Sequence, residues 1–330
     1  MIPQSNYPKI ILDADPGGDD IYAFLWLSSL VKQGFAELVA VTAAEGNVAA
    51  KQTFSSASQL LNLVGFPGIE VGRGIPVKEI IEDASHIHGS DGMGNLSCTL
   101  PQPIHQFEVA PDSDRLIIEK LNAAPGEITI VAVGPLTNLA AAEMKNPGIL
   151  KKAREIVLMG GAFDCPGNVT PHAEFNIWFN AEAARIVFDS RDDIVVMPLD
   201  VTRRLIFTQE MSQLVTGVSP ASQLAQFMNS LSEFMITTAL EYRETSGIQG
   251  FLVHDAATLG YLFYPETFML KRANVRIETE GKLALGQTLI DGRPTPKTSA
   301  NAWVSMQVNE EQFFTHLVQD LRQLFNLIEL

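Results

Sequence analysis

Only two cysteines, Cys98 and Cys165, stand among 330 residues, too few for a disulfide framework and without the paired spacing of a zinc site. A reducing cytoplasm is the setting this predicts. Basic residues are scarce too: 23 Lys plus Arg face 38 Asp plus Glu, a net charge of −15. That balance argues against nucleic acid or an anionic membrane as a partner. It also repels phosphorylated molecules, so a neutral small molecule is the easier guest. No uninterrupted apolar run approaches the roughly 20 residues of a membrane span. The opening Met-Ile-Pro-Gln-Ser-Asn-Tyr-Pro is too polar for a signal peptide. Repeats, low-complexity tracts and a clear interdomain linker are likewise missing. What is present is 46% apolar and 18% charged, ample for a large core and inconsistent with disorder. A single domain over residues 1–330 is expected.

The most informative stretch is Lys9-Ile-Ile-Leu-Asp13-Ala-Asp15-Pro-Gly-Gly-Asp19-Asp20. Its four carboxylates would repel one another in a folded protein unless a cation sat among them. The apolar lead-in reads as a strand, and Pro16-Gly17-Gly18 as a tight turn. Ile21, Phe24, Leu25, Leu27, Ser28 and Val31 then follow a helical period. Side chains alternate along a strand, so Asp13 and Asp15 are expected to point the same way. Asp19 and Asp20 fall in the first helical turn, where free N–H groups favour negative charge. Capping plus solvated carboxylates would explain one such pair; four around a turn favour an oxygen-rich cation site.

Short β-branched runs alternate with helical stretches along the chain. Strands are read in the apolar run that leads in to Asp13 and Asp15, and at 37–42, 128–133, 155–159 and 194–197, with helices near 49–64, 112–123, 136–144 and 180–189. Such a pattern predicts an α/β fold with an open, mostly parallel, Rossmann-like sheet covered by helices. Residues 68–111 read as a long excursion bearing site loops. Residues 208–264 read as mostly helical, with 222–245 forming a lid or wall. Extra strands near 273–279 and 302–308 precede a final amphipathic helix over about 310–327. Several strands end in polar or glycine clusters: Asp13 and Asp15, Glu45-Gly46-Asn47, Gly134-Pro135 and Gly160-Gly161. In an open parallel sheet these ends line one crevice, where chemistry should gather.

Asp15-Pro-Gly-Gly-Asp-Asp20, Gly46-Asn47, His88-Gly-Ser-Asp-Gly-Met-Gly94, Gly134-Pro-Leu-Thr-Asn138, Met159-Gly-Gly, Ala173-Glu-Phe-Asn176 and His254-Asp255 occur in that order. The series resembles the inosine–uridine-preferring nucleoside hydrolase family over roughly residues 9 to 320. The resemblance implies a calcium-dependent N-ribohydrolase, with Asp15, both oxygens of Asp20, the Val133 carbonyl and Asp255 as protein ligands of the Ca2+. It further implies a water acidified by the calcium whose proton Asp15 accepts, and His254 as the acid that protonates the leaving base. Asp19 and Asn176, with Asn47 nearby, are matched to ribose hydroxyls, and Asn168 and Glu174 to the 5′-hydroxyl. Asp13 is expected to steer a ligand rather than bind metal. His88 is read as a base- or ribose-side contact, and His86 is left without a role. Met159 belongs to the matched substrate site, Phe175 is read under the sugar and Tyr242 against the base. The relatives' common homodimer or homotetramer is implied by analogy.

Each of these residues has a plainer reading. His254-Asp255 is the pattern of a helix end, Glu174 and Asn176 suit a strand edge, and Tyr242 or Phe175 suits a core. The chain also departs from the family's usual pattern. An apolar residue is commoner where Gly18 stands, and a proline where Ala256 follows the His-Asp pair. Thr238 takes a place where some relatives present an aromatic, and the Asp164-Cys-Pro-Gly loop varies; all four bear on base preference. Two other functions compete. Asp13-Ala-Asp15 imitates the opening of a haloacid-dehalogenase-type phosphatase, but Asp192-Asp193 precedes a strand where that class needs its magnesium motif after one. A nucleoside- or ribose-binding protein without turnover is the other.

Overall fold

Buried β-branched runs build the sheet. The computed structural model describes residues 7–77, 82–291, 293 and 298–328; the polar lead-in at 1–6 lies outside them. In chain order the strands are Lys9–Ala14 (β1), Glu37–Ala43 (β2), Glu70–Gly72 (β3), Ile128–Ala132 (β4), Glu155–Met159 (β5), Ile194–Met197 (β6), Ile206–Thr208 (β7), Gly250–Leu252 (β8), Phe268–Ala273 (β9), Val275–Ile277 (β10), Thr288–Ile290 (β11) and Ala302–Val308 (β12). Eight of them form one sheet in the order β3-β2-β1-β4-β5-β6-β12-β9. The pairs from β3 to β12 run parallel, and only the β12–β9 pair is antiparallel. The expected α/β fold with a mostly parallel central sheet is what the chain adopts.

Period-two alternation assigns the two faces. Ile10, Leu12 and Ala14 enter one core together with Val131 and Val133, while Ile11, Ile130 and Ala132 enter the other. The helices Ser113–Ala123, Thr137–Lys145 and Ala181–Ser190 supply the second core. The first is covered by Gly18–Lys32 and Glu310–Ile328. Gly18–Lys32 is apolar on nearly every side because a second helical layer wraps it: Trp26 stands edge-on to Phe313 at 5.4 Å and stacks on Tyr264 at 6.0 Å.

The strand order reverses between β1 and β4, so the loops leaving these neighbours diverge to opposite faces and open a crevice at their carboxyl ends. Asp15 follows β1 and Val133 follows β4. The shortest strands, β3, β7, β8 and β11, escaped the sequence reading. The antiparallel pair β7–β8 is only three residues long on each side, too short for a period to register. The strand read at 273–279 is in fact β9 and β10, separated at Asn274. Among the described residues, no helix is long and apolar enough to cross a membrane.

Candidate functional site

The β1 corner begins with a helix whose opening turn is made to hold carboxylates. Gly17 is the N-cap and Gly18 the first helical residue. The Asp20 carboxylate reaches back to accept from the Asp15 and Gly17 amides at 3.2 and 3.0 Å, a capping-box contact that fixes it against the strand end. Asn47, just past β2, donates its backbone N–H to Asp15 Oδ2 at 2.7 Å, and its side-chain amide to Asp15 O and Asp20 Oδ2. Gly46 and Gly134 leave the room this requires: a methyl group on either would lie 2.1 or 2.3 Å from an Asp15 carboxylate oxygen. The glycines after β2 and β4 are therefore spatial requirements of Asp15.

Asp255 arrives from far along the chain. The β7–β8 pair and a Val253 N–H bond to Leu205 O carry it to the crevice, where Asp255 stands at the N-cap position of the helix Ala256–Phe263 with its carboxylate not used as a cap. There Asp19, Asp20 and Asp255 bring one carboxylate oxygen each within 4.8 Å of one another. Two unit charges about 4 Å apart repel by about 4 kcal/mol at an effective dielectric of 20, and these groups are buried as well. Burial, then neighbouring carboxylates, holds Asp15 and Asp255 well above the usual carboxylate range. Burial also pushes Asp19 up to about 8, with Asp20 the next cause, and Asp20 up to about 6. Asp15 Oδ1 is buried with no hydrogen-bond partner. An all-oxygen cluster with surplus negative charge and an unpaired acceptor has the chemistry of a hard divalent cation site.

Asp13 does not line the crevice. Its Oδ1 accepts from Thr42 Oγ1 at 2.6 Å and from Asn138 Nδ2 at 2.8 Å, and burial pushes its carboxyl up to about 7. Asp15 stands just beyond the end of β1, so the alternation that would have aligned the two no longer applies.

A cavity of about 590 Å³ opens over the carboxylates, and Asp15, Asp19, Asp20, Asn47, His88, Val133, Met159, Asn168, Glu174, Phe175, Asn176, Tyr242, His254 and Asp255 all line it. Glu174, which the sequence offers as a strand-edge residue, is instead the N-cap of the helix Phe175–Phe179. It accepts from the Asn176, Ile177 and Gly161 amides. That cap fixes Asn176, whose amide nitrogen donates to the Val133 and Met159 carbonyls at 2.8 and 3.2 Å. Asn168 Oδ1 accepts from the Phe175 N–H at 2.9 Å.

Three imidazoles, those of His86, His88 and His254, complete the wall, and the last two are buried deepest. His88 sits in the short helix Ser85–His88 rather than a loop, and its Nδ1 accepts from the Gly18 N–H at 3.0 Å. The Nε2 must then carry the ring proton, and burial lowers the ring's pKa to about 4. His254 Nδ1 pairs with Thr202 Oγ1 at 2.7 Å. Burial, then the Arg203 charge, then His88, lowers its pKa to about 3. Both rings are neutral near pH 7. Tyr242 is 48% exposed and meets the His86 ring edge-on at 5.7 Å.

Trp178, Arg203 and Met235 also line the cavity and were not found from the sequence. Arg203 donates to the Pro166 and Gly167 carbonyls at 2.8 and 2.7 Å, while Asp200 accepts from the Phe163 and Asp164 amides. This turn after β6 thus holds the loop that carries Asn168. Applying the strand-end rule to Pro198–Arg203 would have found it. The phosphatase motif has no counterpart here: Asp192 and Asp193 precede β6, at the sheet end opposite the cavity.

Comparison with known proteins agrees with this geometry. The chain is 35% identical over 303 residues to a probable uridine nucleosidase 1 of Oryza sativa subsp. japonica, covering 91% of this chain and 90% of that one. It is 33% identical over 311 residues to the pyrimidine-specific ribonucleoside hydrolase RihB of Escherichia coli O9:H4 (strain HS), covering 93% and 94%. A purine-preferring ribonucleoside hydrolase from Gardnerella vaginalis superimposes with a TM-score of 0.86 at 26% identity, over 96% of this chain and 98% of that one. Relatives of both base preferences thus share one scaffold. With the profile of the inosine-uridine preferring nucleoside hydrolases matching residues 10–315, from the first buried strand into the last helix, the chain belongs to that family.

Proposed function

We propose that the chain acts as one unit over residues 1–330 and hydrolyses the N-glycosidic bond of ribonucleosides, releasing the free base and ribose. The observation that carries this reading is the convergence of Asp19, Asp20 and Asp255 beside the unpartnered Asp15 Oδ1. Asp15, Asp20, the Val133 carbonyl and Asp255 would hold a Ca2+, with Asp19 close enough to share the field. When bound, the ion supplies charge compensation, acidifies water and anchors vicinal hydroxyls.

The chain's own groups do the rest. Cleavage of a C–N glycosidic bond develops positive charge at the anomeric carbon. The buried carboxylates place negative potential beneath it. Asp15, whose Oδ1 has no competing donor, is placed to take a proton from the attacking water. Asp19 and Asn176 read the ribose hydroxyls, and Asn47 holds Asp15 and Asp20 in register. Asn168 and Glu174 face the 5′-hydroxyl, with Met159 and Phe175 packing the sugar. A sugar site of this kind rejects 2′-deoxy analogues strongly, because its polar groups would be left unpaired.

At the base end His254 and His88 present neutral rings, and Tyr242 offers an aromatic edge. With Thr202 Oγ1 donating to its Nδ1, a neutral His254 stabilises the departing base by donating a hydrogen bond from Nε2. Net charge −15 and the free Cys98 and Cys165 support a small-molecule substrate, no nucleic acid or membrane partner, and a cytoplasmic setting. A homodimer or homotetramer rests on the family resemblance.

The test is ribose release from inosine, uridine and cytidine, with and without a calcium chelator. Turnover that chelation abolishes and calcium restores is expected. Tight nucleoside binding without turnover would identify a binding protein instead. Phosphate release from nucleotide monoesters, with no base freed, would identify a phosphatase.

A further inference from the structure

Gly18 is not needed for its backbone. Its φ lies outside the left-handed region, so any residue could adopt it, and glycine is a poor helix former. What Gly18 supplies is space. A methyl group there would lie 2.3 Å from Met235 Sδ, 2.6 Å from Cε and 2.8 Å from Cγ. The Met235 thioether thus fills the volume that a side chain at position 18 would take.

Met235 comes from the long helix Gln223–Glu241 and lines the cavity while being only 5% exposed. Helical spacing puts Thr238 on the same face, with the C-cap residue Tyr242 beyond it. The Gly18 N–H is the one that fixes His88, so Gly18, Met235 and His88 meet at one point of the wall. The acidic floor suits a polyhydroxylated sugar. The flat, weakly polar base must lie against the remaining lining, where Met235, Leu252 and Tyr242 offer apolar surface.

We propose that Gly18 and Met235 form a matched pair that sets the volume of the base subsite and so discriminates one-ring from two-ring bases. This rests on the ribonucleoside hydrolase reading. The first turn cannot retreat from a larger residue 18, because Asp20 ties it to the Asp15 and Gly17 amides and His88 ties it to the short helix Ser85–His88. An added methyl therefore displaces the thioether, whose open side is the cavity. Methionine is unbranched and flexible enough to make that move, and the volume it takes there is lost first to the larger base.

The experiment compares kcat/KM for uridine and inosine in the wild type, Gly18→Ala, Met235→Ala and the double variant. One misplaced methyl group in an apolar pocket changes selectivity by about tenfold or more. Gly18→Ala should lower the inosine-to-uridine ratio by about tenfold. The double variant should return it to within about threefold of wild type, a non-additivity expected only of groups in contact. An unchanged ratio in Gly18→Ala, or a double variant that keeps the Gly18→Ala ratio, overturns the pairing. Should Gly18→Ala fail to fold, recovery of folding in the double variant supports it and failure of both overturns it. A wild type that cleaves neither nucleoside sinks the hydrolase reading itself. The pairing is then judged by the inosine-to-uridine ratio of Kd across the same variants.

Discussion

The two ends of the helix Gly18–Lys32 each meet buried carboxylates, and they treat them oppositely. Near its C-terminal end the single carboxylate of Asp320 accepts from Trp26 Nε1 at 2.8 Å, Tyr264 OH at 2.7 Å and Gln33 Nε2 at 3.2 Å. At its N-terminal end Asp15, Asp19, Asp20 and Asp255 crowd together, with Asp15 Oδ1 unpartnered. A carboxylate whose acceptors are filled locks elements together. A group with surplus charge and unfilled acceptors is destabilising on its own and invites a ligand. Burial is common to both ends; satisfaction separates them.

The largest break in this comparison should come from neutralising one N-terminal carboxylate. Asp15→Asn is expected to lower kcat for ribonucleoside hydrolysis by about a thousandfold or more. The melting temperature of the chelator-treated protein should hold or rise, since a repelling charge is gone. A large loss of stability would show that Asp15 is structural, like Asp320. The converse variant, Asp320→Ala, leaves three donors without an acceptor and should cost about 2–4 kcal/mol of stability. Activity per folded molecule should stay within about twofold, measured on samples quantified by circular dichroism.

Adding calcium sharpens the contrast further. At about 100-fold over its Kd a ligand stabilises the fold by about 2.7 kcal/mol. Calcium should therefore raise the melting temperature of the wild type and of Asp320→Ala, but not of Asp255→Asn. An equal rise in all three would place the ion elsewhere.

The smallest effect is in pH. Burial raises Asp13 to about 7 and Asp19 to about 8, above the unfolded value near ~3.9. The folded state then binds more protons than the unfolded chain, so stability is fully present below pH ~4 and is lost as pH rises through those folded values. His88 and His254, lowered to about 4 and 3, act oppositely, but only up to the unfolded histidine value near ~6.5. Between pH ~6.5 and ~8.5 the chelator-treated protein should lose stability steadily as the pH rises. Saturating calcium should flatten the part of that slope owed to Asp19 in parallel thermal melts; the same slope with and without calcium would detach Asp19 from the ion.

How legible the site was depends on the residue. Asp15 and Asp20 were readable because a strand end, a turn and a helix start follow one another within a few residues. Glu174 was not readable as a helix cap, because Phe175–Phe179 is too short to show a period. Arg203 lies past a strand end that was not followed up, and nothing in the sequence sets Met235 apart. Only the loop carbonyls around one, and the empty Cβ position of Gly18 beside the other, show their places in the wall.

By itself the sequence determined the alternation of buried strands and helices, and the charge gathered at the β1 corner. Both follow from periodicities of two and 3.6 residues that act over short distances. The meeting of Asp255 with Asp20, the seating of Met235 against Gly18 and the filling of Asp320 were decided only by tertiary structure. Each joins segments far apart in the chain, and the order in which strands pair across the sheet sets which segments become neighbours.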